Sequence, residues 1–138
     1  MDSLGKRFVH SNVQGYFLAP LMVEVGRGFN MRLDIVNVAK SPGVLVRVES
    51  VVPADFKVTT TQPHYNIQNG SIEFEKKMIN PFTDEAITFA LQATKAGVFN
   101  LNSQLIYIDD LGETKTCKIK PVNITVQPAS NNPDVKTQ

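Results

Sequence analysis

Residues 86–126 constrain the fold more than any other part of the chain, because they predict three consecutive β-strands. The first of these strands alternates apolar with polar side chains, which places its apolar side chains on one face at the two-residue period of a strand. Those apolar positions are Ile87, Phe89 and Leu91. Residues 98–108 predict the second strand, and its outer face begins polar and ends apolar. Turn-forming residues at 109–113 then lead into a third strand that runs from Thr114 towards Val126.

Further strand candidates lie upstream and are separated by turn signals. Residues 16–25 form the first, and Pro20 within it suits an edge strand or a switch between sheets, because proline cannot donate to a β-ladder. Residues 29–37 alternate cleanly and should have one dry face and one wet face. Asn69-Gly70 is the best tight-hairpin signal in the chain.

The segment 44–52 is the most apolar strand candidate. Its valines Val44, Val46 and Val48 are expected to point inward. On a sheet edge such a strand would be a template for pairing with another chain, so we expect it to be central.

The spacing of strands and turns predicts an all-β fold, an antiparallel immunoglobulin-like β-sandwich of seven to eight strands. A length of 138 residues with 42% hydrophobic residues fits one globular domain. We assign residues 1–14 to a leader or linker, 15–127 to the sandwich domain and 128–138 to a disordered tail.

Several of these segments resemble prokaryotic immunoglobulin-like modules from archaea and bacteria, the group that includes the CARDB-type adhesion-related domains. The resemblance spans residues 16–127 and includes a strand that ends in Asn37. The segments that carry it are 29–37, 44–48, 95–99 and 107–112. It implies a module without enzymatic activity that is often part of a larger protein.

Candidate catalytic and metal-binding residues are few. His10 and His64 lie in the predicted leader and in a loop, without cysteines or carboxylates at ligand spacing, so we predict neither metal nor triad chemistry. Gly26-Arg27-Gly28 precedes a strand instead of a helix and is interpreted as a turn. The acidic residues of segment 109–113 could ligate Ca²⁺, but they are too few for a closed site and are interpreted as turn formers. No catalytic residue, cofactor or metal is predicted.

The single cysteine and the charge pattern add little that is specific. Cys117 shares its alternation phase with Ile119, which predicts a small buried hydrophobic side chain, although pairing with another molecule stays open. A net charge of +1 with scattered basic residues does not predict nucleic-acid binding. Asn69 and Asn123 lie in glycosylation triplets that would matter only in an exported protein, and their modification stays open.

Neither a membrane span nor a signal peptide is predicted, so the sequence as written indicates an unexported, cytoplasmic protein. Met1 ahead of Asp2-Ser3 fits an excised fragment equally well, which leaves an extracellular or envelope location open.

These patterns predict a non-catalytic module that mediates protein–protein interaction or acts as a spacer, with a protein partner or a second copy of itself. Possible partner contacts are apolar residues in or near loops and edges, although the same residues can cover the ends of the sandwich. These residues are Tyr16, Phe17, Tyr65, Phe82 and Leu111.

Two other classes of function stay open. One is a self-assembling subunit, possible as a homo-oligomer, joined by edge pairing or by a strand donated from residues 1–13. The other is a carbohydrate-binding module, against which the absence of Trp counts.

Overall fold

The structure is a computed structural model that describes residues 10–61 and 66–129. All regular secondary structure in these residues is β-strand. This confirms the all-β class. Three of the predicted strands divide in two, so that the described residues hold twelve strands instead of seven to eight. In chain order they are β1 (Val13–Leu18), β2 (Met22–Glu24), β3 (Gly28–Asn37), β4 (Gly43–Glu49), β5 (Phe56–Thr61), β6 (Asn66–Gln68), β7 (Ser71–Ile79), β8 (Asp84–Ala93), β9 (Gly97–Leu101), β10 (Gln104–Ile108), β11 (Thr114–Lys118) and β12 (Val122–Gln127).

The strands of the described residues form three sheets around one hydrophobic core. A four-stranded sheet has the order β1-β3-β8-β5, a five-stranded sheet has the order β11-β10-β4-β7-β6, and a three-stranded sheet has the order β2-β12-β9. The paired strands are antiparallel except for β2 and β12, which run parallel. All three sheets contribute fully buried side chains to the core, for example Leu33, Leu45 and Ile124. The architecture is the predicted immunoglobulin-like β-sandwich.

The alternation in β3 and β8 accounts for the central pair of the four-stranded sheet. Ile87, Phe89 and Leu91 of β8 are at most 2% exposed, as their two-residue spacing predicts. On β3, Met31 and Leu33 are fully buried while Arg32 between them is exposed. Each buried side chain of this size contributes about 1.5–3 kcal/mol through removal from water, so this pair is a principal source of stability.

The chain changes sheets inside three of the predicted strands. Pro20 separates β1, an edge of the four-stranded sheet, from β2, an edge of the three-stranded sheet, as the sequence predicts. The predictions of single strands at 98–108 and 114–126 are wrong, because the chain leaves one sheet and enters another at Asn102-Ser103 and again before Val122. Ser103 fixes this point, since its Oγ donates to the Ser50 carbonyl at 2.7 Å.

Strand β4 is central in the five-stranded sheet, as predicted, but of the three valines predicted to point inward only Val48 is buried. The fully buried side chains are Leu45 and Val48, whereas Val44 and Val46 are half-buried. An irregularity in the pairing with β7 between Leu45 and Arg47 shifts the phase by one residue. The alternation therefore changes faces within the strand.

Turns and a buried polar side chain order the loops. Asn69 and Gly70 have φ values of 53° and 78°, the two positive values that a type I′ turn requires, and they join β6 to β7 as predicted. Asn37 is fully buried at the end of β3. Its side-chain amide donates to the Ser41 carbonyl at 2.8 Å and to the Ile79 carbonyl at 3.2 Å. Its side-chain oxygen accepts from the Ala39 N–H at 3.1 Å, so one amide connects the β3–β4 loop to the end of β7.

Strand β1 begins at Val13, two residues before the predicted start of the domain. Val13 is fully buried, and Ser11 before it is 8% exposed. Residues 10–14 of the predicted leader are therefore part of the packed structure, whereas residues 1–9 lie outside the described residues.

Candidate functional site

A groove runs along the outer side of edge strand β1. Two adjoining cavities of about 410 and 420 Å³ make up this groove, and both are lined by Tyr16 and Lys120. The first cavity lies between β1 and β11, and the second continues along Leu18 to Leu21 and the beginning of β12. We call this continuous feature the β1 groove.

Three exposed apolar side chains line the β1 groove where the chain crosses from β1 to β2, and the exposed Met22 follows them in the chain. Tyr16 is 51% exposed, Leu18 60%, Leu21 75% and Met22 58%. We call these four residues the crossover surface. Tyr16 and Leu18 point outward because β1 alternates and its inward positions, such as Val13, join the core. The crossover surface is therefore a consequence of the edge position of β1 and the switch at Pro20.

Hydrogen bonds hold the crossover surface in place. The Tyr16 hydroxyl donates to Gln14 Oε1 at 2.5 Å, along the outer row of β1. The Leu21 carbonyl accepts from the Thr125 N–H at 2.9 Å, which ties the crossover to β12. The crossover backbone is thus tied to β12 at Leu21, and the Tyr16 ring is oriented by the Gln14 side chain.

The charged side chains that line the β1 groove are cationic. Lys118 and Lys120 are exposed, and within residues 10–61 and 66–129 neither forms an ion pair. Tyr107 lies at the inner end of the groove, and its burial raises the pKa of its hydroxyl. At neutral pH this hydroxyl is neutral, so the groove has a positive rim and an uncharged floor.

The structure separates the residues that the sequence nominated as partner contacts. Tyr16 and Phe17 both line the β1 groove, with Phe17 half-buried against the core. Phe82 and Leu111 are 66% and 61% exposed but lie in the β7–β8 loop and the β10–β11 hairpin, away from the β1 groove. Tyr65 lies outside the described residues. The contact role of all five residues stays a prediction.

Sequence reasoning missed three members of the crossover surface, namely Leu18, Leu21 and Met22. The available signal was an apolar run interrupted by a proline, Phe17-Leu18-Ala19-Pro20-Leu21-Met22. A switch between sheets prevents both halves of such a run from entering the core.

The acidic turn is structural, in agreement with its interpretation from sequence. Asp109 is 7% exposed, and its Oδ1 accepts the N–H groups of Leu111 and Glu113 at 2.9 Å each. Among the described residues, no three His, Cys, Asp or Glu side chains are placed to hold a metal ion.

The next residue, Asp110, anchors the beginning of the described chain to this hairpin. Its Oδ2 lies 2.8 Å from His10 Nδ1, and its Oδ1 accepts the Ser11 N–H at 2.8 Å. The hydrogen bond with His10, followed by that with Ser11, lowers the pKa of the Asp110 carboxyl to about 2. Residues 10 and 11 are thus fixed against the β10–β11 hairpin.

Cys117 is half-buried beside the core and also lines the β1 groove, so the prediction of a buried side chain is only partly met. Its Sγ lies 3.7 Å from the Lys118 carbonyl, which is a weak contact. The titratable side chains that line the two cavities are tyrosines, lysines and this cysteine. None of these lining residues is a His or a carboxylate that could serve Cys117 as a general base.

Comparison with solved structures identifies the fold. The chain aligns with BcpA, the major pilin subunit of Bacillus cereus, with a TM-score of 0.61 and 10% identity over 85% of this chain and 40% of the pilin chain. It aligns with the CARDB domain of a Pyrococcus furiosus protein, solved with two metal ions, with a TM-score of 0.51 and 14% identity over 87% of this chain and 91% of that chain. A PapD-like domain of human CEP192 gives a TM-score of 0.54 and 9% identity over 87% of both chains.

The likeness to the CARDB domain confirms, for the fold, the resemblance that the sequence predicts. This chain spans less than half the length of the pilin subunit that it matches. No protein-family model matches the sequence, and no curated protein matches it. In the described residues, none of the elements is a helix able to cross a membrane.

Proposed function

We propose that this immunoglobulin-like sandwich is a non-catalytic module that binds a partner protein through the crossover surface and the β1 groove. The observation that carries this proposal is the grouping of Tyr16, Leu18 and Leu21, each more than half exposed, along one groove, with the exposed Met22 next to Leu21 in the chain. Grouped apolar side chains on an exposed surface are typical of interaction sites, whereas single exposed ones are ordinary.

The remaining exposed apolar residues of the described chain support the distinction. Met78, Phe82, Val98 and Leu111 lie on four other elements or loops and do not line the β1 groove. A large apolar side chain in a rigid setting is the typical anchor of a protein interface. Tyr16 meets this description, because its hydroxyl is fixed by Gln14 while half of the side chain is accessible.

A selection from a random library of extended peptides tests the proposal. The folded chain is immobilised and the selected peptides are then tested against Leu18→Ser/Leu21→Ser. The control is Met78→Ser/Val98→Ser, which replaces two apolar residues with exposures of 60% and 70%. Both double variants alter accessible side chains and should keep the stability of the parent.

We expect the selected peptides to bind the control as they bind the parent and to lose affinity for Leu18→Ser/Leu21→Ser. Peptides that bind both double variants equally well would show that the crossover surface is not the binding site. A selection that enriches no peptide would contradict the proposed function itself.

A further inference from the structure

The first cavity of the β1 groove has a closed floor, so a ligand in it meets side chains instead of strand backbone. Val13 and Gly15 of β1 are both buried. A Cβ at Gly15 would lie 3.1 Å from the side chain of Ile119, which shows how closely this side chain covers the strand. What the first cavity can bind is therefore decided by the side chains that line it.

The Tyr107 hydroxyl supplies a hydrogen-bond donor to the first cavity. Tyr107 is only 7% exposed and lines this cavity. Burial raises the pKa of its hydroxyl, and a hydrogen bond with the Val13 backbone acts in the opposite direction. A bond that lowers the pKa of a phenol is one that its oxygen accepts, because a donor stabilises the phenolate. The Val13 N–H thus bonds to the oxygen, and within the described residues the hydroxyl hydrogen has no acceptor.

Two cations stand on the rim of the same cavity. Lys118 and Lys120 are exposed on either side of Ile119, which is 3% exposed, so both lysine side chains lie on the outer side of this segment. Neither lysine forms an ion pair within the described part of the chain, and no lining residue of either cavity is acidic. A hydroxyl donor beside two unpaired cations favours a carboxylate, which accepts hydrogen bonds and carries the opposite charge.

The second cavity has a different chemistry. Most of its lining is apolar, at Phe17, Leu18, Leu21 and Val122 among others, and Lys120 is shared with the first cavity. A segment with a carboxylate in the first cavity therefore places its neighbouring side chains beside an apolar surface. The order of the two cavities defines the composition of a segment that lies along the groove, acidic at one end and apolar at the other.

We propose that the β1 groove binds a segment of a partner protein whose acidic side chains enter the first cavity, against Tyr107, Lys118 and Lys120, and whose neighbouring apolar side chain packs on the crossover surface. Recognition is made by side chains of the groove and not by the backbone of β1. This inference rests on the proposed function and names the chemistry of the partner.

Charge disfavours the segments that this chain could itself supply. Residues 1–9 carry the basic pair Lys6-Arg7, which would lie in a groove that is already cationic. Residues 130–138 carry one aspartate and one lysine, so their side chains bring no net negative charge. Residues 16–22 of a second copy contain no carboxylate. An acidic and apolar segment of another protein fits the groove better than any of these.

Selection from the random peptide library on three forms of the full chain tests the charge of the partner. On the parent, we expect the selected peptides to be enriched in aspartate or glutamate next to an apolar residue. On Lys118→Glu/Lys120→Glu this enrichment should be lost, and a peptide selected on the parent should bind about fivefold or more weakly. Lys57→Glu/Lys95→Glu is the control and should keep the acidic enrichment, because it makes the same change in net charge at exposed positions outside the groove.

Tyr107→Phe tests the hydroxyl donor. A selected acidic peptide is compared with a neutral form in which glutamine or asparagine replaces each acidic residue. The parent should bind the acidic form more tightly, and this preference should decrease as salt is added. Tyr107→Phe should weaken the acidic form by about fivefold or more and the neutral form less, because a hydrogen bond to a charged acceptor is the stronger one. Thermal unfolding verifies that each variant is folded, and the lysine variants decide the proposal if Tyr107→Phe is not.

Each outcome decides between the proposals. Selected peptides without acidic enrichment, or equal enrichment on the two lysine double variants, would overturn the acidic partner. If those peptides still depend on Leu18 and Leu21, the proposed function stands while this inference fails. Equal effects of Tyr107→Phe on both peptide forms would remove the hydroxyl from the site. Tighter binding of the acidic peptide by Asp2→Asn/Asp134→Asn than by the parent would show that a terminal segment of the chain fills the groove, which would also overturn the inference.

Discussion

Replacement of Asn37 by alanine should destabilise the domain far more than replacement of an exposed asparagine. The Asn37 side chain bonds to the buried groups Ala39 N–H and Ile79 C=O, at 3.1 and 3.2 Å, and to the Ser41 carbonyl at 2.8 Å. Alanine at position 37 removes these bonds from a site that is 0% exposed. A buried polar group that loses its partner costs about 1–3 kcal/mol, so the two buried groups set the expected loss of unfolding free energy at about 2–6 kcal/mol.

Urea denaturation followed by circular dichroism measures this difference, provided that the slope of the transition is the same in parent and variant. Asn100→Ala is the matched control, because Asn100 is exposed and bonds to the side chain of Asn123. A surface change of this kind should stay within about 0.5 kcal/mol of the parent. If the two variants lost similar stability, the reasoning that one buried amide holds the β3–β4 loop against the end of β7 would be refuted.

Three further changes test other elements of the structure. The pKa of the Asp110 carboxyl is lowered to about 2 from 3.8, so the carboxylate stabilises the fold above pH 4 and this stabilisation is lost as the pH falls towards 2. The difference in urea midpoint between the parent and Asp110→Asn should therefore shrink from pH 4 to pH 2, and a constant difference would contradict the charged anchor. Val48→Ala should cost about 1–2 kcal/mol more than Val44→Ala in thermal unfolding, since only Val48 is fully buried, and the reverse order would restore the simple alternation of β4. Gly70→Ala should be less stable than Gly112→Ala, because a Cβ at position 70 would lie 2.9 Å from the Val52 carbonyl oxygen, whereas a Cβ at position 112 would contact nothing. Both glycines have φ near 80°, so the backbone strain is the same in the two variants, and equal stability would mean that the loop at Gly70 moves freely.

The features that the sequence predicted well depend on neighbours along the chain. The buried face of β8 follows from strict alternation, and the β6–β7 turn follows from Asn69-Gly70, which tolerate positive φ. Pro20 likewise marked the first change of sheet, because it removes a backbone donor. These effects act within a few residues and need no knowledge of the partner strand.

The errors involve relations between distant strands. The inward phase of β4 changes at an irregularity that is set by its pairing with β7, which the alternation of valines alone does not reveal. The division of residues 98–108 depends on Ser103, whose hydroxyl bonds to Ser50, more than fifty residues earlier. A long-range hydrogen bond leaves no periodic signal in either segment.

The candidate site was only partly accessible from sequence for the same reason. Tyr16 and Phe17 were nominated because they lie near a predicted edge, and both line the β1 groove. Leu18 and Leu21 read as ordinary members of an apolar strand, and their exposure depends on which sheet each half of that strand enters. Lys118 and Lys120 form the positive rim of the groove only because β11 and the segment before β12 lie opposite β1, a placement that the sequence alone does not reveal.

The parallel pairing of β2 with β12 has a mechanical consequence. Tension that arrives along the axis of β12 would slide this strand past β2 and β9, so that the bonds of both ladders are strained together instead of opening in sequence. Resistance to such shear is set by the rate of forced unfolding and not by the equilibrium stability. We expect the domain to sustain a higher force in a single-molecule experiment when it is pulled along β12 than when β12 is pulled sideways from the sheet.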